Sequence, residues 1–508
     1  MDLGGVLALN ARRHPEKEAV IYEGKRYSYK EYNAEANKMA HALIKMGIKK
    51  GDKVALMMQN SDRYCFAFFG ALKAGAVVVP MNYRLAAPEA QYVADHSESS
   101  VMIFDPEYLP LVREVREKLP CVKHFIQAVN KVEAGDLLEW DKVVEGMPET
   151  DPDVKVDESD DCEILYTSGT TGRPKGALFD HHRIIHVAFN SCVFMGINMK
   201  SRLLHVAPLF HSAQLNLFLV PGTYVGATHV VHKIFHPVNV LQTLHDERIS
   251  FFFGVPTMYN FMLQVPNLEG YDLSSVKTYG YGAAPMAPEL VKGCMQRFKT
   301  DQFFNLCGLT EAGPGGVLLD AEDHMRKLGA SGKAIINTEA RVVDNNGIDI
   351  NPGEIGEFIL RGETIMKCYY RNPEATAETI KDGWLYTGDL ATIDDEGFIT
   401  LVDRKKDMII TGGENVYSTE VEQALYECPG VLEAAVIGVP NPVWGETVAA
   451  VICPKPGVSL SPEEIRAFCM MKLADYKVPR IIHFTEMLPR NASGKVLKTK
   501  LREVYGKE

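Results

Sequence analysis

Several features of common protein classes are missing from this chain of 508 residues. Its ten cysteines are scattered and none falls in a C-x-x-C pair, so neither a zinc site nor a disulfide framework is indicated. No apolar run reaches the roughly 18 residues that a membrane span needs, and the first residues lack the basic and apolar regions of a signal peptide. With the cysteines interpreted as free thiols, these absences predict a cytoplasmic protein without a transmembrane segment.

Positive charge is also in short supply. Lys and Arg number 54 against 66 Asp and Glu, which gives a net charge of −12. This balance argues against nucleic acid as a partner, although an anionic nucleotide can still bind through local positive charge. The sequence leaves the oligomeric state open, a homodimer included.

The length exceeds one ordinary hydrophobic core, so two or more domains are expected. Predicted strands at 54–58, 77–79 and 101–104 alternate with helical stretches, which favours an α/β fold with parallel sheet. Short β-like runs between 340 and 403 predict a smaller β-rich subdomain. The chain after about Arg404 is typical of a compact α+β unit. We therefore predict a large N-terminal domain of layered α/β subdomains plus the β-rich subdomain, 1–403, and a small C-terminal domain, 404–508.

One glycine-rich stretch at 166–176, Tyr-Thr-Ser-Gly-Thr-Thr-Gly-Arg-Pro-Lys-Gly, follows an apolar run that is typical of a buried strand. Its glycines let the backbone approach a ligand closely, and its hydroxyls and cations suit a polyphosphate. The spacing differs from the ordinary P-loop, in which Gly-Lys-Ser/Thr ends the motif. The candidate phosphate-binding residues are Thr167, Ser168, Gly169, Thr170, Thr171, Gly172 and Lys175.

This string resembles the phosphate-loop signature of the adenylate-forming enzymes, which include acyl-CoA synthetases, 4-coumarate–CoA ligases and peptide-synthetase adenylation domains. Four further stretches occur in the family's order, and the resemblance covers about residues 10 to 505. It implies ATP, Mg²⁺, CoA and a small-molecule carboxylic acid as ligands. In the implied reaction, the acid and ATP form an acyl-adenylate and pyrophosphate, and the thiol of CoA then displaces AMP.

The stretch 305–311, Asn-Leu-Cys-Gly-Leu-Thr-Glu, resembles the family's Tyr-Gly-x-Thr-Glu element. By resemblance Glu311 is the Mg²⁺ ligand and Thr310 contacts the α-phosphate, whereas taken alone Glu311 is more typical of a solvated loop. Cys307 replaces the aromatic residue that usually stacks on adenine, and a thiol offers less stacking area. The predicted adenine contacts are Gly282, Ala283, Ala284, Asn305, Leu306 and Cys307.

Three later stretches complete the resemblance. Trp-Leu-Tyr-Thr-Gly-Asp at 384–389 and Asp-Arg-Lys-Lys-Asp at 403–407 imply Asp389 and Arg404 as ribose contacts and Lys406 as the hinge of a mobile C-terminal domain. Gly412 and Gly413 are placed at the tunnel for the pantetheine arm of CoA. The Ser-Gly-Lys ending at Lys495 implies that this lysine promotes adenylation, as a mobile point charge on a loop can.

The acyl pocket is predicted from Pro-Leu-Phe-His at 208–211, which resembles the element whose His gates the acyl tunnel. Gly308 stands where acetate-specific relatives carry a Trp, which predicts an acid larger than acetate. Leu306 and Tyr281 add bulk where 4-coumarate–CoA ligases carry Gly and Ser, so a carbocyclic or aryl acid and a medium-to-long-chain fatty acid both stay open. The candidate pocket residues are His211, Ala213, Gly254, Tyr281, Gly282, Leu306 and Gly308.

The sequence thus predicts an AMP-forming acyl-CoA synthetase that activates an apolar acid. One alternative is a stand-alone adenylation protein that loads the phosphopantetheine arm of a carrier. Another is a non-catalytic protein that binds a nucleotide or an acyl-AMP. The presence of Lys495, Glu311 and Asp389 together argues against the non-catalytic alternative.

Overall fold

The computed structural model describes residues 1–129, 137–167, 173–490 and 495–506. Strands and helices alternate through the first two thirds of the chain. A π-helical turn, Leu215–Leu219, joins the short helices Ser212–Gln214 and Val220–Val225. Up to residue 334 the described elements are α1 (Leu3–Arg13), β1 (Glu18–Tyr22), β2 (Lys25–Ser28), α2 (Tyr29–Lys45), β3 (Lys53–Met57), α3 (Asp62–Lys73), β4 (Val77–Pro80), α4 (Ala87–His96), β5 (Ser99–Phe104), α5 (Leu109–Val115), β6 (His124–Gln127), β7 (Leu138–Glu139), α6 (Trp140–Val144), β8 (Asp161–Thr167), β9 (Lys175–Asp180), α7 (His181–Met195), β10 (Arg202–His205), α8 (Ser212–Gln214), α9 (Val220–Val225), β11 (Thr228–Val231), α10 (Pro237–Asp246), β12 (Phe251–Gly254), α11 (Pro256–Leu263), β13 (Thr278–Gly282), α12 (Pro288–Phe298), β14 (Phe303–Gly308), β15 (Gly316–Leu319), α13 (Ala321–His324) and β16 (Lys333–Ala334).

These strands form two sheets. One has the order β16-β15-β14-β13-β12-β10-β11-β1-β2, and its six central strands from β14 to β1 run parallel. The other begins β9-β8-β4-β3-β5-β6-β7, and its strands from β8 onwards run parallel. Parallel neighbours need crossover connections, which the intervening helices supply. The stretch 106–160 contributes β6 and β7 to the second sheet.

Apolar side chains fill the layers between and outside the sheets. Leu43, Phe68, Ile184 and Leu219 belong to one cluster that includes residues of both sheets, so helices α2, α3 and α7 are enclosed between them. A second cluster lies under α10 to α12, on the outer face of the first sheet. A third lies under α4 and α5, outside the second sheet. The predicted layered α/β fold is confirmed.

The next part of the chain is β-rich, as predicted. Its elements are β17 (Thr338–Val343), β18 (Gly356–Gly362), β19 (Cys368–Tyr369), α14 (Pro373–Thr379), β20 (Ile380–Lys381), β21 (Trp384–Ile393) and β22 (Ile399–Arg404). An antiparallel sheet has the order β17-β18-β21-β20, with β22 also paired to β21, while β19 joins the second α/β sheet beside β9. The Thr-Gly-Asp at 387–389 lies within β21, where Gly388 takes a φ of +72°.

The last part of the chain has a core of its own. Its elements are β23 (Ile409–Thr411), β24 (Glu414–Val416), α15 (Ser418–Tyr426), β25 (Val431–Asn441), β26 (Gly445–Pro454), α16 (Pro462–Met470), β27 (Ile481–Phe484) and α17 (Lys498–Tyr505). Val436 and Ile452 lie in a cluster with residues of α15 and α16, whereas Ile437 and Val451 face α17. One sheet is therefore covered on both faces, as the period of two in its strands requires. The predicted α+β unit is confirmed.

Among the described helices, none combines the length and the apolar character that crossing a membrane requires.

Two side chains that follow β3 of the second sheet hold the loop that follows β10 of the first sheet. Asn60 is buried, and its amide donates to the carbonyl of Ala207 (2.9 Å) and accepts from the backbone N–H of Leu209 (2.8 Å). The hydroxyl of Tyr64 donates to the carbonyl of Leu209 at 3.0 Å. These bonds satisfy buried backbone groups and fix the segment that leads into His211.

Replacing Asn60 by Ala is expected to lower the free energy of unfolding by about 2 kcal/mol, because it leaves two buried backbone groups unpaired. Chemical denaturation of the purified variant measures this. Gln296→Ala on the exposed face of α12 is the matched control, with an expected change within about 0.5 kcal/mol. Equal stability of the two variants would contradict this account of the loop.

Candidate active site

Glu311 lies where the end of β14 meets the β8–β9 hairpin. Its Oε1 accepts hydrogen bonds from the hydroxyl of Tyr369 at 2.8 Å and from that of Thr167 at 3.5 Å. The ammonium of Lys175 lies 5.0 Å from the centre of the Tyr369 ring. Thr167 therefore binds Glu311 directly, and Lys175 lies beside the tyrosine that holds Glu311. The remaining predicted phosphate-binding residues, Ser168, Gly169, Thr170, Thr171 and Gly172, lie outside the described residues.

Thr310 connects this corner to the loop after β10. Its Oγ1 lies 3.2 Å from Oγ of Ser212, the first residue of α8. His211 caps the same helix, since its Nδ1 accepts from the backbone N–H of Ala213 at 3.2 Å. The predicted α-phosphate contact and the predicted gating histidine thus meet at the N-terminus of α8.

The predicted adenine turn follows β13 and lies beside β14. Gly282 is the register partner of Leu306, and a Cβ on Gly282 would lie 2.3 Å from the carbonyl oxygen of Leu306, so only glycine fits. Ala283 takes a φ of +65° at the exposed tip of the turn. The amide of Asn305 donates to the carbonyl of Ala330 at 3.0 Å and so is used in holding β14.

Cys307 occupies the position where an adenine-stacking aromatic was expected. Burial, together with the negative charge of Asp389, raises the pKa of its thiol to about 12. The thiol is therefore neutral at physiological pH. Because the charge of Asp389 acts on this thiol, the predicted adenine contact Cys307 and the predicted ribose contact Asp389 lie near each other.

Asp389 and Arg404 are direct partners across the β21–β22 ladder. Nε of Arg404 lies 3.1 Å from Oδ1 of Asp389. Burial raises the pKa of the Asp389 carboxyl, while the charges of Arg404 and Lys495 act in the opposite direction. Two predicted ribose contacts that are separated by 15 positions in the sequence thus form one ion pair.

Lys495 brings the C-terminal part of the chain into this site. Burial first, and then the charge of Arg404, lower the pKa of its ammonium, while the carboxylates of Asp389 and Asp407 oppose both effects. The resulting pKa is about 8. His211 lies near the same charge. Burial, together with the positive charge of Lys495, lowers the pKa of its imidazole to about 4. The charge of Lys495 therefore acts on residues of both the predicted ribose and the predicted acyl stretches, and these side chains are half-buried.

The predicted hinge and CoA residues lie at the edge of this site. Burial lowers the pKa of Lys406, two residues beyond Arg404. Gly412 and Gly413 form the turn of the β23–β24 hairpin with φ values of +60° and +87°, a conformation that favours glycine. Trp444 packs against Gly412, while a Cβ on Gly413 would meet nothing within 4 Å.

The predicted acyl-pocket residues divide between two faces of the first sheet. Ala213 and Leu306 pack in an apolar cluster with Phe218, Phe251 and Phe253, on the face towards α7. Gly282 is on this face as well, since side chains alternate along β13. This face is the candidate acyl site.

Gly254 and Tyr281 are on the opposite face, so the prediction that they shape the pocket is wrong. The ring of Tyr281 is buried under α12, and its hydroxyl lies 3.0 Å from Nε2 of His324. A Cβ on Gly254 would lie 3.1 Å from the ring of Phe252, in the same outer cluster.

Gly308 also has a different explanation from the one expected. A Cβ there would lie 2.2 Å from the carbonyl oxygen of Pro314 and 2.3 Å from that of Gly315. The close approach of β14 to β15 therefore excludes a side chain at this position, whatever the size of the acid. The inference that the acid is larger than acetate cannot be based on this residue.

Two groups of residues that contribute to the site are not predicted by the sequence. Tyr369, which holds Glu311, lies on the two-residue strand β19, which is too short for a periodic signal. Asn190 and Phe194 of α7, with Leu217, line a small cavity beside Leu306 and Cys307. The helical period of α7 is readable in the sequence, but it does not tell which of its faces meets the pocket.

The chain is similar to known proteins along almost its whole length. The family model for "AMP-binding enzyme" matches residues 7–370, and that for "AMP-binding enzyme C-terminal domain" matches residues 420–495. The chain is similar to a feruloyl-CoA synthase from Amycolatopsis sp, at 38% identity over 99% of both chains. It is also similar to the long-chain-fatty-acid–CoA ligase FadD13 of Mycobacterium tuberculosis, at 36% identity over 99% of this chain and 98% of the relative. The solved structure of the anthranilate CoA ligase AuaEII in complex with anthranoyl-AMP superposes with a TM-score of 0.93 at 29% identity, covering 99% of this chain and 97% of that one.

The chain belongs to the AMP-binding enzymes, the adenylate-forming family that its sequence resembles. Within that family it is an AMP-forming carboxylate–CoA ligase, and it uses ATP, Mg²⁺ and CoA. The donor set fits these ligands. Among the described residues, both hydroxyls that bind Glu311 use Oε1, which leaves Oε2 for a hard cation.

Replacing Tyr369 by Phe is expected to raise the Mg²⁺ concentration for half-maximal adenylation by about tenfold, because the hydroxyl that orients the Glu311 carboxylate is lost. A Mg²⁺ titration of pyrophosphate release at saturating ATP measures this. Tyr370→Phe is the matched control, since that hydroxyl donates to Glu98 instead. An unchanged Mg²⁺ dependence in Tyr369→Phe would contradict the orienting role.

Proposed function

We propose that this ligase activates an apolar carboxylic acid larger than acetate, through an acyl-adenylate held between the first sheet and the C-terminal part of the chain. The observation that carries the proposal is the enclosed ammonium of Lys495 beside Asp389, with its charge felt at His211. A cation that lies near both the predicted ribose-binding and the predicted acyl-binding residues is what the joining of two anions requires.

In the first half-reaction, a carboxylate oxygen of the acid attacks the α-phosphorus of ATP and pyrophosphate leaves. Lys495 and Thr310 stabilise the charge on the α-phosphate, while Thr167 and Lys175 bind the departing phosphates. Glu311 would hold Mg²⁺, which neutralises phosphate oxygens when bound. Asp389 accepts hydrogen bonds from the ribose hydroxyls, with Arg404 fixing the carboxylate.

In the second half-reaction, the thiol of CoA attacks the acyl carbon and AMP leaves. For the thiol to arrive, Lys495 has to withdraw, and we propose that residues 404–508 rotate as a unit about Lys406. The separate core of that unit supports rotation as one body. The hairpin turn at Gly413, open to solvent here, would then line the tunnel for the pantetheine arm.

The apolar face near Leu306 supports an acid with a ring or a long chain. The rings of Phe218 and Phe253 stack with centroids 4.9 Å apart, and Phe251 packs against them. Such a surface binds apolar groups and offers no partner for a charged tail. The feruloyl-CoA synthase and the fatty-acid ligase among the relatives represent the aryl and the chain alternatives.

Replacing Lys495 by Ala is expected to slow adenylation by about 100-fold or more, because the charge on the α-phosphate loses its counter-ion. Thioester formation from a supplied acyl-adenylate and CoA should stay close to the wild-type rate, since Lys495 is withdrawn in that step. Pyrophosphate release and AMP release measure the two half-reactions separately. Equal losses in both would contradict the rotation, and AMP release that needs a carrier protein instead of CoA would favour the carrier-loading alternative.

The pH dependence of adenylation follows from the same lysine. Lys495 is charged below its pKa of about 8 and neutral above it, so kcat/KM for ATP should fall as the pH rises through about 8. Lys495→Arg, whose guanidinium stays charged, should remove this limb even if its rate is lower. A limb of the same position in both enzymes would assign the titration to another group.

A further inference from the structure

We propose that Asn190 determines the substrate specificity of the acyl site by binding a hydroxyl group at the far end of an apolar acid. The inference rests on the proposed function, because it names the substrate class of the same site.

The side-chain amide of Asn190 is buried and unpaired. The residue lies in the middle of α7 and is only 3% exposed. Among the described residues, neither Nδ2 nor Oδ1 of Asn190 has a hydrogen-bond partner. The next residue shows the usual outcome for a buried polar group, since Ser191 donates its hydroxyl to the carbonyl of Val187 at 3.2 Å. A buried amide with two unused groups is costly, which favours a ligand as the missing partner.

This amide lines the cavity that the candidate acyl site contains. Asn190 shares a cavity of about 30 Å³ with Leu306, which is predicted for both the acyl and the adenine positions, and with the predicted adenine contact Cys307. The other side chains around it are mostly apolar, Phe194 and Leu217 among them. The far end of an acid bound on this face would therefore meet an apolar wall with one amide in it.

The chemistry of the amide selects the group that it binds. Its Nδ2 donates and its Oδ1 accepts, and a hydroxyl is the smallest group that does both. A methyl or an unsubstituted ring edge would leave the amide unpaired, and a charged group would lose its hydration without gaining a counter-ion. The structure thus assigns to this site an apolar acid with a distal hydroxyl.

Matched pairs of acids test the assignment: cinnamate with 4-hydroxycinnamate, and octanoate with 8-hydroxyoctanoate. For at least one pair, the wild-type enzyme should show a kcat/KM for pyrophosphate release that is about tenfold or more higher with the hydroxylated acid. In Asn190→Leu, which has a similar volume and no polar group, the preference should disappear or reverse. Val193→Ala, on the exposed side of the same helix, is the control, and it should keep the wild-type preference.

A second readout does not depend on turnover. The melting temperature of the ligand-free Asn190→Leu variant should rise, because an unpaired buried amide is replaced by an apolar side chain. A fall would mean that the amide is paired in the free protein, for example by a trapped water, and would overturn the proposal. Equal selectivity in wild type and Asn190→Leu would overturn it as well. An absence of pyrophosphate release with every acid would instead refute the proposed function, while the melting temperature still decides whether Asn190 is unpaired.

Discussion

The enclosure of one ammonium group governs how the active site is built. Taking the charge of Lys495 out of water costs free energy, which its lowered pKa records, and the nearby carboxylates of Asp389 and Asp407 return part of that cost. The neighbouring cations Arg404 and Lys406 add repulsion, so the group is held near the point at which it would lose its proton. Polyphosphate and carboxylate substrates would add negative charge beside Lys495 and so stabilise its charged form. We expect this to stabilise the closed arrangement when the substrates bind and to destabilise it when pyrophosphate has left.

Strand pairing and short connections bring these charged side chains together. Antiparallel pairing of β21 and β22 places Asp389 opposite Arg404, and the chain leaves the β-rich sheet immediately afterwards. The ribose contact and the proposed pivot at Lys406 are thus two residues apart on one side of the site. On the other side, Tyr369 reaches across from β19 to Glu311, so the edge of the second sheet is tied to the end of the first.

The fold was largely predictable from the sequence, because strand and helix periods are local and the five stretches occur in a family order. The contents of the acyl site were not. A period of two shows that Tyr279 and Tyr281 share a face of β13, but only the packing of α12 shows that this face is the outer one. The resemblance predicts that Gly308 indicates a large acid, because acetate-specific relatives carry a Trp at this position. In the structure, the carbonyls of Pro314 and Gly315 exclude any side chain there. An unpaired amide such as that of Asn190 can be recognised only when its surroundings are known.

The central claim is that Lys495 is enclosed during adenylation and withdrawn during thioester formation. Acetylation footprinting by mass spectrometry tests it directly, with the exposed Lys500 of α17 as the internal reference. The account predicts that Lys495 is protected from acetylation, relative to Lys500, when ATP and a non-reactive analogue of the acid are bound. It predicts labelling of both lysines when a non-hydrolysable acyl-adenylate and CoA are bound. Equal protection of Lys495 in the two states would contradict the account.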